Sequence, residues 1–400
     1  MIDPAALAAH YSRFRVSERL LLTGHSHQAW PDVAFEAQQQ AWLDAAEHVD
    51  QKWDLAEEKA ERLRRGVSDM LDDTTGQVAL GQNTHELVTR FLSALPLFER
   101  PRLVTTDGEF HSIRRQLDRL AEEPIEVVKV AALPAATLAG RLVAAVDERT
   151  SAVLTSHVLF QNAHIVPDLG RLSEMCESMG VELLVDAYHS TNVVPFSIQR
   201  EGLECAFVVG GGYKYMQMGE GNCWMRFPAG CLFRPVITGW FGEFDALTAE
   251  NESGSTRYGQ GAARFAGSTY DPTSHYRAVA VLDFFSAQGL TQDRLRDRSQ
   301  HQVGLLMEAF DGLDLDPDVI DRDRSVPLDG VAGFLSLRSP RAGELARALS
   351  VGGVRTDHRG DVLRFGPAPY LTDGQLRTAM DALREAVEWL AARTLFRRIP

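Results

Sequence analysis

The chain has few cysteines and no long apolar run. Its 400 residues include four cysteines, Cys176, Cys205, Cys223 and Cys231, and no two of them form a CxxC pair. This spacing argues against a disulfide framework or a zinc site and is typical of reduced thiols. No apolar stretch approaches the roughly 20 residues of a membrane span, and the first residues lack the basic start and apolar core of a signal peptide. We therefore expect a soluble cytoplasmic enzyme.

Positive charge is also scarce. Forty-one Lys and Arg stand against 55 Asp and Glu, for a formal net charge of −14. Nucleic acids and anionic membranes are bound through basic patches, so neither is expected as a partner. The 12 histidines form no HExxH motif and no His/Cys cluster, so we expect no catalytic metal. There is no GxSxG motif to support a serine hydrolase.

The middle of the chain alternates between strand-like and helical patterns. One long amphipathic helix is predicted over 31–65. Beyond it, strands are predicted near 102–106, 125–130, 151–155, 181–185, 205–209 and 222–227, and helices near 111–122, 136–146 and 168–179. Such alternation predicts βαβ units, hence an α/β fold with a mostly parallel sheet and helices on both faces.

The pattern changes at about residue 273, where a smaller α+β domain is predicted. Two helices, 273–287 and 293–310, come first. They are followed by predicted strands near 331–337, 354–357 and 362–365 and by helices near 342–350 and 372–394. We accordingly predict an N-terminal segment, 1–30, that joins the small domain, a large domain, 31–272, and a small C-terminal domain, 273–400.

Lys214 is the most informative single residue. It stands in the run Gly-Gly-Gly-Tyr-Lys-Tyr at 210–215, directly after an apolar strand pattern. A lysine is costly to bury without a partner, so glycines and tyrosines around it suggest a backbone that delivers the amine into a pocket. Asp186 stands upstream, at the end of the predicted strand 181–185. Pyridoxal phosphate chemistry needs a lysine that forms a Schiff base and a carboxylate that keeps the pyridine nitrogen protonated. The pair predicts a pyridoxal phosphate enzyme.

Other candidate residues also follow predicted strands, where ligands bind in doubly wound sheets. Thr84 and nearby backbone N–H groups could hold a phosphate, although on this segment alone an ordinary helix cap by Asn83 or Thr84 is the better interpretation. Phe110 either stacks on a pyridine ring or is a core residue. Arg364, in the apolar run 362–365, is either a surface residue or a guanidinium that binds a substrate carboxylate in bidentate fashion.

Taken together, these motifs resemble kynureninase, within the aspartate-aminotransferase-like (fold type I) pyridoxal phosphate enzymes of the class V group. The resemblance runs from about residue 21 to residue 370. Its segments, in the family's order, are Ser156-His157-Val158, Asp186-Ala187-Tyr188-His189-Ser190, Tyr213-Lys214-Tyr215 with Gly219 and Gly221, Gly239-Trp240-Phe241-Gly242, and Leu363-Arg364-Phe365-Gly366 with Pro369.

The resemblance implies cofactor-binding roles. Lys214 would bind pyridoxal phosphate covalently and then move the Cα proton, Asp186 would pair with the pyridine nitrogen, and Phe110 would stack on the ring. Thr84 would hold the phosphate together with Tyr213, which is also a catalytic candidate. The remaining cofactor-binding candidates are Asn83, in the loop of Thr84, and His189, which would hydrogen-bond within the Asp186 loop.

Further roles implied by the resemblance concern the substrate and a second subunit. Trp240 and Ser268 would reach the phosphate of the partner subunit, so a homodimer with its active site at the subunit interface is implied. Arg364 would bind the substrate carboxylate. His25 and Ser26 would belong to the substrate-side wall.

The implied reaction is hydrolytic cleavage of the Cβ–Cγ bond of L-kynurenine, or of a similar aromatic γ-keto amino acid, to alanine and an aromatic acid. The substrate-side segments depart from the family, since 24–28 reads Gly-His-Ser-His-Gln and Glu243 replaces the usual histidine.

The alternative is another class V enzyme, a lyase, epimerase or aminotransferase, acting on a different amino acid. A cysteine desulfurase is disfavoured because no cysteine follows Cys231. A protein that binds a ligand without catalysis would place Lys214 on the surface.

Overall fold

The structure, a computed structural model, describes residues 2–246 and 255–396. Its α-helices are α1 (Pro4–Ala8), α2 (Asp32–His48), α3 (Lys52–Met70), α4 (Thr84–Ser93), α5 (His111–Leu120), α6 (Leu138–Ala145), α7 (Leu169–Ser178), α8 (Ile198–Glu201), α9 (Thr273–Ala287), α10 (Gln292–Asp311), α11 (Ala342–Val351) and α12 (Asp373–Phe396). Its strands are β1 (Leu20–Leu21), β2 (Gly76–Gly81), β3 (Arg102–Thr106), β4 (Glu126–Val130), β5 (Thr150–Ser156), β6 (Glu182–Asp186), β7 (Phe207–Gly211), β8 (Cys223–Pro228), β9 (Leu335–Arg338), β10 (Val354–Arg355), β11 (Asp357–Arg359) and β12 (Val362–Phe365).

A seven-stranded sheet forms the centre of the molecule, in the order β2-β8-β7-β6-β5-β3-β4. Strand β8 runs antiparallel to both of its neighbours, and the remaining pairs are parallel. Every residue of β5 is buried, as expected for a parallel strand with both faces covered. The predicted α/β class with a mostly parallel sheet is confirmed.

The direction of the strands determines where the functional loops meet. Because β8 is antiparallel to both β2 and β7, strand β2 points the same way as β7, β6 and β3. The carboxyl ends of these four strands therefore lie on one edge of the sheet. The loops that follow them carry the cofactor-binding candidates of the Thr84, Phe110, Asp186 and Lys214 segments.

The predicted single helix over 31–65 is wrong. The segment forms two helices, α2 and α3, separated by a 3₁₀ turn at Val49–Gln51, and Val49 has φ 49° and ψ −102°. Helix α3 buries a stripe at Ala56, Ala60, Leu63 and Val67. Both helices pack against α9. The segment around the break contains no Gly or Pro, the residues that usually mark the end of a helix, so the sequence did not indicate the break.

The C-terminal region contains a small antiparallel sheet in the order β11-β12-β9. A separate two-stranded sheet joins β1, near the N-terminus, to β10 of the C-terminal region in a parallel pair. Gly24 then passes so close to the backbone of Pro367 that a Cβ would lie 2.5 Å from its carbonyl oxygen. The N-terminal segment is thereby attached to the C-terminal region. The domain boundaries 1–30, 31–272 and 273–400 stay a prediction.

No helix in the described part of the chain combines the length and the apolar character that a membrane span requires.

Candidate active site

A cavity of about 390 Å³ lies at the carboxyl edge of the central sheet. Its walls come from the ends of β2, β3, β5, β6 and β7 and the loops that follow them, together with the start of β8. The structure brings together at this cavity the predicted cofactor-binding residues Asn83, Thr84, Phe110, Asp186, His189, Tyr213 and Lys214.

Lys214 is buried, as the glycine-rich run predicted. Its Nζ donates to Nε2 of His189 at 2.8 Å and lies 4.5 Å from the ring centroid of Tyr188 and 5.3 Å from that of Phe110. Burial lowers the pKa of Lys214 to about 7, and the charge of Asp186 opposes this effect. A substantial fraction of the amine is therefore neutral, and nucleophilic, at neutral pH.

His189 is the direct neighbour of this amine. Burial, followed by the charge of Lys214, holds the pKa of His189 well below its usual value, so the ring is neutral and Nε2 accepts the hydrogen bond. Within the described residues, the buried Nδ1 has no hydrogen-bond partner. The expectation that His189 bonds within the Asp186 loop is therefore wrong, because its partner is Lys214.

Asp186 ends β6 and is buried at the cavity wall. Its Oδ1 accepts the backbone N–H of Tyr188 at 2.8 Å, and no other donor to this carboxylate is found in the described ranges. Burial raises the pKa of Asp186, while the charge of Lys214 and the Tyr188 N–H lower it. A buried carboxylate with so few donors is stabilised by a cationic group in the cavity.

A second buried carboxylate, Glu109, was not singled out from the sequence. Its Oε2 accepts from the Ser156 hydroxyl at 2.6 Å, and its Oε1 accepts from the Thr106 hydroxyl at 2.7 Å and the Ser156 N–H at 3.2 Å. Burial raises the pKa of Glu109 to about 7, and the charge of Asp186 adds to the effect. Glu109 directly precedes Phe110 in the loop after β3, and this position was the feature of the sequence that could have identified it as a site residue.

Helix α4 begins at the cavity. Asn83 is its N-cap, and the side-chain Oδ1 accepts the N–H of Glu86 at 2.9 Å, so the helix-cap interpretation of Asn83 is confirmed. Thr84, the first helical residue, is buried with its Oγ1 3.6 Å from Sγ of Cys223. The backbone N–H groups and the positive end of the helix dipole at this position favour an anion.

Aromatic rings form much of the remaining wall. Phe110 precedes α5 and packs edge-on against Phe160, with ring centroids 5.4 Å apart. Tyr213 packs at 5.0 Å from Tyr188 and stacks on His27 at 4.9 Å. These rings can contact a flat ligand and exclude water from it.

Arg364, His25 and Ser26 do not line the cavity; they converge instead on Asp357. Arg364 donates from Nε to Oδ1 at 2.9 Å and from Nη2 to Oδ2 at 2.5 Å. The His25 ring and the Ser26 hydroxyl reach the same carboxylate. The sequence interpretation missed Asp357. A hairpin prediction around Gly360 could have placed it, since Asp357 lies directly opposite Arg364 across the β11–β12 pair.

Trp240 and Ser268 lie at the surface, away from this chain's cavity. Their backbone segments touch: Phe241 donates its N–H to the Gly267 carbonyl at 3.1 Å, and a Cβ on Gly239 would lie 2.2 Å from that oxygen. The two candidates thus occupy one surface region. Exposed apolar side chains in the same part of the chain are Leu232, Val236, Ile237 and Phe244.

The chain is similar to an uncharacterized aminotransferase and to a kynureninase, although no protein-family profile matches. An uncharacterized aminotransferase, YcbU of Bacillus subtilis, is 23% identical over 348 residues, which cover 86% of this chain and 88% of the relative. A kynureninase of Geobacillus thermodenitrificans is 24% identical over 342 residues, which cover 80% and 75% of the two chains.

Solved structures show the same fold at low sequence identity. A cysteine desulfurase from Thermococcus onnurineus superposes with a TM-score of 0.76 at 17% identity, covering 93% of this chain and 95% of the other. The cystine C–S lyase C-DES, in complex with its product cysteine persulfide, gives 0.78 at 18% identity, covering 93% and 98%. The Escherichia coli cysteine desulfurase CsdA gives 0.79 at 16% identity, covering 97% and 99%. The fold is therefore the aspartate-aminotransferase-like fold (fold type I).

Proposed function

We propose that the chain is a pyridoxal phosphate-dependent enzyme of the class V aminotransferase-like group, which acts on an amino acid. One observation carries the proposal. The Nζ of Lys214 is buried, has a pKa lowered to about 7, and faces a cavity that is also lined by the carboxylate of Asp186. An amine in this state reacts readily with an aldehyde.

The cavity wall fits each part of pyridoxal phosphate. Lys214 supplies the amine for the aldehyde, and Asp186 supplies a carboxylate for a protonated ring nitrogen. Phe110 supplies an aromatic face. Thr84 and the N-terminal N–H groups of α4 supply donors for the phosphate. When bound, the cofactor provides an electron-accepting ring that stabilises negative charge at the substrate Cα.

The residues of the chain divide the remaining work. Lys214 is placed to take the proton from Cα and to return it. His189, which accepts from Lys214 Nζ, orients the amine and holds its proton at Nζ. Asp186 would supply the carboxylate that stabilises positive charge on the ring nitrogen of the cofactor. Tyr188 and Tyr213 exclude water from this region.

Two reactions are supported about equally. Hydrolysis of an L-kynurenine-like amino acid is favoured by the ordered motifs and by the likeness to a kynureninase. A lyase, epimerase or aminotransferase acting on another amino acid is favoured by the likeness to an aminotransferase. It is also favoured by the substrate-side departures at 24–28 and at Glu243.

The test of the cofactor is spectroscopic. Purified protein is reconstituted with pyridoxal phosphate and its visible absorbance is recorded, followed by borohydride reduction and peptide mass spectrometry. We expect a visible band and a reduced adduct on Lys214. The Lys214→Ala variant should lack both, whereas Lys129→Ala, at an exposed lysine of β4, should keep both. A colourless wild-type protein, or an adduct that persists in Lys214→Ala, would refute the proposal.

Product analysis then separates the two reactions. The holoenzyme is incubated with kynurenine, 3-hydroxykynurenine and a panel of amino acids. Release of alanine with an aromatic acid supports the hydrolase, and release of a keto acid supports transamination. Failure of both kynurenines while another amino acid reacts rejects the kynureninase-like reaction and retains the alternative.

We also propose a homodimer in which Trp240 and Ser268 serve the site of the partner subunit. Their surface position, beside exposed apolar side chains, supports this arrangement. Mixing Lys214→Ala with Trp240→Ala chains tests it, because a hybrid dimer would contain one intact site. We expect the mixture to regain visible absorbance beyond the sum of the separate variants. A monomer in sedimentation, or a strictly additive mixture, contradicts the proposal.

A further inference from the structure

The guanidinium of Arg364 is already bound to a carboxylate of its own chain. Its Nε and Nη2 donate to the two oxygens of Asp357 at 2.9 and 2.5 Å, in the bidentate geometry that a substrate carboxylate would otherwise take. Its Nη1 donates to the carbonyl oxygen of Phe160 at 2.6 Å. Only 2% of Arg364 is exposed, so water does not screen this pair appreciably.

Asp357 is held in place from several sides. His25 Nε2 lies 2.8 Å from Oδ1, and the Ser26 hydroxyl donates to Oδ2 at 2.8 Å. The β11–β12 ladder places Asp357 directly opposite Arg364. Rotation of the carboxylate away from Arg364 would break contacts to three residues at once. We therefore regard the pair as a fixed part of the site.

The pair is electrically neutral. Burial alone would raise the pKa of Asp357, but the hydrogen bonds from His25 and Arg364 and the charge of Arg364 hold it far below its usual value, so Asp357 stays ionised. A free Arg364 would offer a full positive charge to a carboxylate ligand. With Asp357 in contact, most of that attraction is cancelled at short range.

The pair also lies close behind the cavity wall. Phe160, whose carbonyl accepts from Arg364, lines the cavity, and the charge of Arg364 contributes to lowering the pKa of Lys214. Nη1 and Nη2, the two nitrogens of the remaining edge of the guanidinium, already donate to Phe160 and to Asp357, so a carboxylate that reaches this edge from the cavity finds both nitrogens partly engaged.

We propose that Asp357 is a specificity-determining residue that restricts Arg364 to one edge, neutralises it, and so weakens recognition of the substrate carboxylate. The inference rests on the proposed function and deepens it. Binding at this site then depends chiefly on the substrate's side chain. Because the cavity wall includes the aromatic side chain of Phe160, the substrate class is an amino acid with a large apolar or aromatic side chain, and short amino acids are discriminated against.

Calorimetric titration with two ligands that cannot react tests the proposal. 3-Phenylpropionate carries the carboxylate without an amine, and 3-phenylpropanamide is its neutral counterpart. In wild-type holoenzyme we expect similar affinities for the two. In Asp357→Asn the acid should bind at least about tenfold more tightly, the value of one charge-assisted hydrogen bond, while the amide is unchanged.

Asp361→Asn is the matched control. Asp361 lies beside the same hairpin and is exposed, with its ion pair to Arg338 at 3.6 Å. The substitution makes the same change in net charge without touching Arg364. We expect wild-type affinity for both ligands.

Two outcomes would overturn the inference. One is a wild-type preference for the acid of tenfold or more, and the other is an acid affinity that is unchanged or weaker in Asp357→Asn. If that variant does not fold, the wild-type comparison decides alone. Failure of the proposed function is seen separately, as the lack of a visible band after reconstitution with pyridoxal phosphate.

Discussion

The Nζ of Lys214 lies 2.8 Å from Nε2 of His189, and a neutral imidazole rather than a carboxylate is its hydrogen-bond partner. In the described part of the chain no carboxylate lies within 4.0 Å of this amine. The buried ammonium is therefore only partly compensated, and its pKa falls to about 7. The neutral amine that aldehyde chemistry requires follows from this contact and from burial.

We expect the stability of the cofactor-free protein to rise with pH because of Lys214. The folded state releases this proton near pH 7, whereas the unfolded chain holds it to about 10.5. Between these values the unfolded state binds more protons, so unfolding becomes less favourable, by up to about 1.4 kcal/mol per pH unit. Urea unfolding of wild type and Lys214→Met at pH 7 to 10 measures the difference. A difference independent of pH would contradict the prediction.

Substitution of Asp186 by Asn should slow proton exchange at the substrate Cα while the cofactor stays bound. Without the carboxylate, positive charge on the ring nitrogen loses its stabilising partner, and we expect a loss of about 100-fold or more. Deuterium incorporation at Cα, followed by NMR for an amino acid that reacts with the wild type, measures it. Asp118→Asn, at a half-buried position of α5 outside the cavity, should behave like the wild type. Unchanged exchange in Asp186→Asn would remove Asp186 from the mechanism.

Glu109 gives the opposite pH dependence from Lys214. Its pKa is raised from an ordinary value near 4.5 to about 7, so between these values the folded state binds more protons than the unfolded state. Stability attributable to Glu109 is therefore present at low pH and is lost as pH rises through about 7. The stability of wild type minus that of Glu109→Gln should fall from pH 4.5 to 7. A difference that rises instead would show that Glu109 is ionised throughout.

Asp73 and Arg226 form a buried ion pair whose loss should be costly. Nε of Arg226 donates to Oδ2 at 2.7 Å, and neither side chain is exposed. Asp73→Asn leaves an uncompensated buried guanidinium, and we expect a loss of about 3–5 kcal/mol in the free energy of unfolding. Asp69→Asn, at an exposed position of α3, should change stability by no more than about 0.5 kcal/mol. Equal stabilities of the two variants would refute the prediction.

The predictions from sequence succeeded where the signal is local. The strand pattern at 181–185 ends one residue before Asp186, and the apolar run before 210 leads into the Lys214 loop. In a parallel sheet the ends of such strands meet at one edge, so the Asp186–Lys214 neighbourhood was predictable. The α4 N-terminus was predictable for the same reason, since an Asn-Thr pair marks a helix start.

The predictions failed where a contact joins distant segments. The break at Val49 depends on how α2 and α3 each pack against α9, and the amphipathic pattern of 31–65 alone predicts one helix. The sequence interpretation gave His189 a hydrogen-bond partner in its own loop. In the structure His189 instead accepts a hydrogen bond from Lys214, which lies 25 positions away along the chain. The periodicity of the apolar residues predicts neither the helix break at Val49 nor the hydrogen bond between Lys214 and His189.

The sequence by itself determined the class of fold and the strand-end positions of Lys214, Asp186 and Thr84, because apolar periodicity and the alternation of strand and helix patterns along the chain are local properties. Only the tertiary structure decided that Arg364 is paired with Asp357 and that His25 completes this pair from 332 positions away. Such contacts arise from the pairing of β1 with β10 and from the β11–β12 register. Those long-range pairings depend on the packing of the whole molecule rather than on any one segment.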